Sequence, residues 1–208
     1  MFPNRYDLQR KETMRILIPL IMVITLHVSD SFAEPSLRPW AHHNQKDYEA
    51  GITTDNVFAG KYSAYIRSKS SETNTTGTLW QAIKPRPDWF GEKVMMTVHM
   101  RTLKVKEAAG LFMRVSTYSG WINYDYMYDR LAKGDTGWQK YMVVLEIPHD
   151  TSLIDFGAWI IGPGEVQVDN FGFEVGDPKV RVTGTSEKIE FGEPENLDFE
   201  RYSKGEGF

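Results

Sequence analysis

The sequence has 208 residues and a formal net charge of −4, and it contains no cysteine. It also lacks a basic block that could serve as a nucleic-acid footprint, so we expect no nucleic-acid partner. The absence of cysteine excludes disulfides, thiolate metal sites and a cysteine nucleophile.

The N-terminal segment has the three-part pattern of a secretory signal. Basic residues precede an apolar run from Ile16 to Val28, and Ser31 and Ala33 supply the small residues for cleavage after Ala33. The run is shorter than the roughly 20 apolar residues that a spanning helix needs, which favours a cleaved signal over an uncleaved anchor. We therefore predict a signal peptide over 1–33, no membrane span after its removal, and a periplasmic or secreted bacterial protein.

Beyond Ala33, apolar and polar residues alternate with a period of two, in short runs separated by turn-forming residues. The candidate strands are Ser63–Ser68, Thr78–Lys84, Lys93–Leu103, Gly110–Thr117, Ile122–Tyr128, Gln139–Ile147, Ile154–Ile161 and Glu165–Val175. This spacing predicts an all-β fold, a jelly-roll β-sandwich of about eight or more antiparallel strands in two sheets. We assign the domain to residues 34–176 and a polar tail to 177–208, in which Pro194–Glu200 could add an edge strand.

Alternation within the strands separates a core face from an outward face. The predicted core residues are Val94, Met96, Val98, Met100, Leu111, Met113, Val115, Ile154, Phe156, Ala158 and Ile160. The residues between them are predicted to point outward.

The outward residues include a set suited to binding sugars. If Lys93–Leu103 and Gly110–Thr117 pair as a hairpin, His99, Arg101, Phe112 and Arg114 lie together, and Trp159 is outward on a third strand. Sugars stack their C–H faces on aromatic rings, and planar polar groups such as Arg and Gln bind their hydroxyls; aromatic side chains also lose little entropy on binding. We therefore predict carbohydrate binding by these residues together with Gln81. The alternative is that the tail or a loop covers the aromatic residues.

A second polar cluster contains Asp125, Asp129 and Arg130, in the stretch Tyr124–Arg130. At strand spacing the two carboxylates share a face and could act as general acid and base. The other interpretation, which we favour, is that they bond to neighbouring arginine and backbone groups. Asp125, Asp129 and Arg130 are also predicted to contribute to ligand binding.

The alternation changes phase near Asp169 and Asn170, which predicts one extra residue there, a β-bulge. Asp169 is then either a bulge cap or a ligand of a structural calcium ion. No other cofactor is expected.

A series of short stretches resembles small exported bacterial proteins with a galactose-binding-like, carbohydrate-binding-module-like β-sandwich. The stretches are 47–51, 60–65, 77–81, 109–115, 125–130, 137–141 and 168–174, with a similar ending at 196–200. The resemblance implies the sandwich fold and a ligand-binding role. This sequence departs from the family pattern at Phe112, where Trp is expected, and at Tyr126, where Asn is expected. Some such proteins carry labels for transcriptional regulators, which an exported and helix-poor chain does not support.

Three functions remain open from the sequence. The first is a non-catalytic module that binds a carbohydrate or cell-envelope glycan. The second is a protein-interaction or envelope-assembly module that uses the same face. The third is a polysaccharide-acting enzyme that uses Asp125, Asp129 or His99, although the chain has no Ser-His-Asp order, zinc spacing or phosphate loop.

Overall fold

The computed structural model describes residues 36–189, and the predicted signal peptide and Pro194–Glu200 lie outside them. Within this range the chain forms ten strands and one turn of 3-10 helix at Pro87–Trp89. The strands are β1 (Ala41–His43), β2 (Tyr48–Thr53), β3 (Ser63–Ser68), β4 (Thr76–Ile83), β5 (Lys93–Thr117), β6 (Trp121–Asp125), β7 (Ala132–Glu146), β8 (Thr151–Ile161), β9 (Glu165–Val175) and β10 (Thr185–Lys188).

The strands form two layers, and β5 belongs to both. Its residues 93–109 pair with β7 and 94–103 pair with β9. Residues 108–117 pair with β8, and 113–116 pair with β6. The first sheet has the order β2-β3-β9-β5-β7, and the second has β1-β4-β8-β5-β6-β10. All strand pairs are antiparallel, so the predicted jelly-roll β-sandwich is confirmed.

The core lies between the two layers and contains every residue that alternation assigned to it. Val94, Met96, Leu111, Met113 and their predicted companions on β5 and β8 belong to one buried cluster. Hydrophobic faces of the two sheets thus exclude water from each other, and the intervening residues of each strand point away from the core.

The continuous strand β5 corrects one prediction. Lys93–Leu103 and Gly110–Thr117 do not form a hairpin, because the chain passes from one layer to the other between them. This crossing is irregular, with register shifts from Thr102 to Ala109 and a positive φ of 50° at Lys104. The two outward faces of β5 therefore lie on opposite sides of the sandwich.

The structure also adds strands that the alternation did not predict. β1, β2 and β10 are short or polar, and β10 pairs with β6 at the edge of the second sheet. The region after residue 176 thus contributes an edge strand, although at Thr185–Lys188. None of the helices in the described range is long and apolar enough to cross a membrane.

Candidate functional site

The outer face of the second sheet carries a groove across β4, β8 and the C-terminal half of β5. Its volume is about 550 Å³. The lining residues are Thr76, Thr78, Trp80, Ala82, Phe112, Arg114, Tyr126, Tyr128, Leu153, Asp155, Trp159 and Ile161. Small-molecule sites are typically about 300–1,000 Å³, mostly apolar and supplied with a few polar groups. The groove has this size and chemistry.

Two glycines shape the floor of the groove. Gly157 lies between Trp80 and Phe112 in the strand register, so a side chain is missing between two aromatic residues. A Cβ atom at Gly157 would lie 2.0 Å from the Leu79 carbonyl oxygen, so the site accepts no larger residue without backbone movement. Gly110 plays a similar part beside Trp159, whose ring would lie 3.1 Å from an added Cβ.

The groove runs along the strands for about 20 Å, because the lining residues Thr76 to Ala82 of β4 span six residue steps of about 3.3 Å each. It crosses three strands, and neighbouring strands lie about 4.8 Å apart. A groove of this shape suits an elongated ligand.

One wall of the groove is the loop that follows β6. Asp125 accepts a hydrogen bond from the Met127 amide at 2.7 Å, and Met127 adopts a positive φ of 57°. The Met127 side chain is fully buried in the core cluster, and its sulfur accepts a bond from the Leu111 amide at 3.4 Å. These contacts fix the loop against β5, where β6 has ended.

Arg130 closes this loop by bonding both carboxylates. Its Nη2 lies 2.5 Å from Asp125 Oδ2, and its Nη1 lies 2.6 Å from Asp129 Oδ1. Burial would lower the pKa of Arg130, but the bonds to Asp125 and Asp129 outweigh it and raise the pKa. The bond to Arg130 also lowers the pKa of Asp129. The favoured interpretation of the two carboxylates, bonding to a neighbouring arginine and backbone, is confirmed.

The wall presents two tyrosines to the groove. Tyr126 stacks on Phe112 with ring centroids 5.4 Å apart, and Tyr128 stacks on Tyr126 at 5.7 Å. The Trp159 indole donates to the Tyr126 carbonyl at 3.2 Å. Burial raises the pKa of the Tyr126 phenol, although the nearby Arg114 guanidinium acts in the opposite direction.

The charged groups of the groove are one ion pair. Arg114 donates to Asp155 Oδ2 through Nε at 3.0 Å and through Nη2 at 2.5 Å. The Arg114 side chain is 43% exposed, whereas that of Asp155 is 7% exposed. The two residues face each other on neighbouring strands, so the pair is held in place by the sheet itself.

The structure brings together some predicted site residues and separates others. Phe112, Arg114 and Trp159 line the groove, and Asp125, Asp129 and Arg130 build its wall from behind. Gln81 was assigned to the wrong face, because it lies on the same side of β4 as Leu79, which is fully buried in the core.

His99 and Arg101 are not part of this groove, because they lie on the first sheet. Phe58 stacks on the His99 ring with centroids 3.6 Å apart, and the Arg101 guanidinium lies 6.0 Å from the Trp138 ring. The Trp138 indole donates to the Asn56 carbonyl, which fixes the loop of residues 54–62 over these side chains. We call this loop, with Trp138, the aromatic roof.

Phe112 and Trp159 are on the predicted face but are not exposed. They retain 6% and 5% of their accessible surface, because Tyr126 and Tyr128 cover them. The alternative that a loop covers the outward aromatic residues is therefore correct for these two rings. The accessible aromatic surface belongs instead to Trp80 and to Tyr128, which is 70% exposed.

Sequence reasoning missed Trp80, Tyr128 and Asp155 as groove residues, whereas the resemblance had marked Tyr126, with Phe112, as a ligand-facing position. The signal for Trp80 was present, since the buried Leu79 next to it places Trp80 outward by alternation. Asp155 could have been found in the same way from Ile154 and Phe156. Tyr128 could not, because the strand predicted through it ends at Asp125.

The predicted bulge near Asp169 is confirmed. Thr97 pairs with Gly172 and His99 pairs with Asp169, so Asn170 and Phe171 both stand opposite Val98. Asp169 Oδ2 accepts bonds from the Ala59 amide at 3.0 Å and the Ser63 hydroxyl at 3.1 Å. Within residues 36–189, no three His, Cys, Asp or Glu residues form a group that could hold a metal ion. The calcium site at Asp169 stays a prediction.

Comparison with known proteins places the fold among carbohydrate-binding modules. A xylan-binding domain of family 22 superposes with a TM-score of 0.52 at 16% identity, covering 68% of this chain and 90% of that domain. A family 16 carbohydrate-binding module gives a TM-score of 0.50 at 10% identity, covering 67% and 92%. At these identities the likeness shows the fold alone.

One curated relative is similar in sequence. It is named an uncharacterized HTH-type transcriptional regulator, YbfP, of Bacillus subtilis (strain 168), and it is 31% identical over 176 residues, or 82% of this chain. The chain spans 59% of the length of that relative. Residues 36–189 contain no α-helix, so this part of the chain holds no helix-turn-helix unit. No family model matches the sequence.

Proposed function

We propose that this protein is a non-catalytic carbohydrate-binding module whose ligand lies in the groove of the second sheet. The observation that carries the proposal is the pairing of accessible aromatic rings, Trp80 and Tyr128, with a fixed donor–acceptor pair, Arg114 and Asp155, in one elongated groove. Aromatic faces stack on sugar rings, and the ion pair meets sugar hydroxyls. The likeness of the fold to carbohydrate-binding modules supports this proposal.

The enzyme hypothesis has little support in the geometry. His99 lies on the opposite sheet from Asp125, and both Asp125 and Asp129 are bonded to Arg130. A protein-interaction role for the same groove is the stronger alternative, and the ligand screen below distinguishes it.

We further propose that the module acts outside the cytoplasm after removal of residues 1–33. The proposal rests on the signal-like N-terminal pattern. N-terminal analysis of the mature protein is expected to find Glu34 first, and retention of Met1 or Met14 on extracytoplasmic protein would contradict it.

The direct test is a titration of the purified protein with soluble xylan, glucomannan, mixed-linkage β-glucan and homogalacturonan. Single sugar-binding surfaces are weak, so we expect a dissociation constant between about 1 mM and 1 μM, or roughly −4 to −8 kcal/mol. Trp80→Ala and Tyr128→Ala should each weaken binding by about tenfold or more, which corresponds to 1.4 kcal/mol.

The matched control is Trp138→Ala, which removes a partly exposed tryptophan from the other sheet. It should leave the affinity unchanged. Absence of binding to all polysaccharides, or equal losses in Trp138→Ala and Trp80→Ala, would contradict the proposed function. If the protein binds no glycan but captures a protein partner, and Tyr128→Ala abolishes that capture, the interaction module is favoured.

A further inference from the structure

The groove contains two charged residues, and they neutralise each other. Of the twelve lining residues, Arg114 and Asp155 carry charge, and their guanidinium and carboxylate atoms are 2.5 Å apart. Asp155 is nearly buried beside a half-exposed Arg114, so a ligand approaching the arginine also meets the negative charge behind it. The groove is therefore formally uncharged.

The bonding within the pair leaves a donor and an acceptor free. Both bonds from Arg114 to Asp155 end on Oδ2, so Asp155 Oδ1 accepts no hydrogen bond from the other residues in the described range. The guanidinium also interacts with the Tyr126 hydroxyl, and Nη1 makes no bond to Asp155. A sugar hydroxyl both donates and accepts and so matches both atoms, whereas an ionised carboxylate only accepts. An incoming carboxylate could accept a hydrogen bond from Arg114 Nη1, but it would be repelled by Oδ1 of the Asp155 carboxylate.

The charged residues behind the wall add no net positive charge that would attract an anion. Behind the wall, Arg130 is shared between Asp125 and Asp129, and Arg181 lies close enough to Asp129 to lower its pKa, so that cluster has no net positive charge. The desolvation of a carboxylate on entering the groove is thus not offset by a net cationic site.

We infer that Asp155 is the residue that determines specificity in this groove: by pairing with Arg114 it makes the groove select uncharged glycans over those that carry uronic acids. This inference rests on the proposed function, since it concerns the ligand of the same groove. It names the class of glycan and the side chain that sets the preference.

The test compares the purified wild-type protein with Asp155→Asn on neutral polysaccharides (xylan, glucomannan and mixed-linkage β-glucan) and on an acidic one, homogalacturonan. Wild-type protein should bind at least one neutral polysaccharide at least tenfold more tightly than homogalacturonan. Asp155→Asn keeps the shape of the side chain and gives the groove a net positive charge. It should bind homogalacturonan at least tenfold more tightly than wild type, and added salt should reduce this gain by screening.

Asp55→Asn is the matched control, because it makes the same change in protein charge at an exposed carboxylate of the aromatic roof, on the other sheet. It should produce no such gain. Leu153→Lys is a second gain variant, since it adds a positive charge at an exposed residue of the groove without altering the ion pair. It keeps the inference testable if Asp155→Asn fails to fold.

The outcomes separate the two proposals. If wild-type protein binds no polysaccharide, the proposed function and the inference both fail. If it binds neutral glycans but Asp155→Asn has no higher affinity for homogalacturonan than wild type, the inference alone fails. Leu153→Lys is judged in the same way if Asp155→Asn does not fold. An equal gain in Asp55→Asn, or a wild-type preference for homogalacturonan, would also overturn the inference alone.

Discussion

Arg101 and Arg114 lie on the same strand, β5, and both point away from the core, but on opposite sheets. Arg114 is half-exposed and bonded to Asp155 on the neighbouring strand. Arg101 has no carboxylate within salt-bridge distance in the described range, and its Nε and Nη1 are buried without hydrogen-bond partners. One arginine is therefore accessible in the groove, and the other is enclosed.

The loops around the two sheets cause this difference. On the first sheet the aromatic roof lies directly over the polar residues, with Phe58 stacked on His99. On the second sheet the tyrosines stand beside the ion pair as a wall and leave the groove open. Alternation along a strand thus decides which side a residue faces, whereas the loops decide whether that side is accessible.

The largest expected effect comes from comparing Phe112, which packs against the wall, with Phe58 of the roof. Phe112→Ala should cost about 3 kcal/mol of unfolding free energy, because Phe112 is nearly buried against Tyr126 and Phe→Ala changes in packed sites cost about 3–5 kcal/mol. Phe58→Ala should cost less than about 1 kcal/mol, because Phe58 is 41% exposed. Denaturant unfolding of both variants measures the difference. Equal losses of unfolding free energy would mean that Phe58 is packed as firmly as Phe112.

A smaller effect, with opposite signs on the two sheets, is expected for the arginines. Arg114→Met leaves the nearly buried Asp155 carboxylate without its partner and should cost about 1–3 kcal/mol, less than a fully buried pair because Arg114 is half-exposed. Arg101→Met removes buried N–H groups that have no partner and should be neutral or stabilising by about 1 kcal/mol. Thermal melts of the two variants under one condition test this. A large loss of thermal stability in Arg101→Met would mean that the Arg101 guanidinium makes a stabilising polar contact.

The fold and the core were predictable from the sequence because both depend on local alternation. Val94 to Met100, Leu111 to Val115 and Ile154 to Ile160 all have the predicted faces. The bulge at Asp169 was predictable for the same reason, since an extra residue shifts the phase of the alternation.

The site was only partly predictable, because it depends on contacts between distant segments. His99 and Phe112 are separated by an irregular crossing that has no strong turn signal, so alternation could not reveal that they lie on different sheets. The wall depends on Met127, whose positive φ ends the strand pattern at Asp125 and turns the tyrosines toward Phe112. A non-glycine residue in that conformation is held there by tertiary contacts, which the sequence does not display.

The smallest expected effect concerns the anchor of the aromatic roof at Asp169. Asp169 joins the bulge of β9 to the roof loop through the Ala59 amide and to β3 through Ser63, and its other oxygen accepts from the Asn170 amide at 2.7 Å. Asp169→Asn replaces one of these acceptors with an amide donor and should cost about 1 kcal/mol of unfolding free energy, because the bonds are charge-assisted but partly exposed.

Melts with calcium and with chelator test the calcium prediction at the same residue. If the ion binds the native state at Asp169, calcium raises the wild-type melting temperature by mass action, and Asp169→Asn abolishes that increase. Identical wild-type melts under both conditions would reject the calcium site, while a loss of stability in Asp169→Asn would still identify the carboxylate as the link between the bulge and the roof.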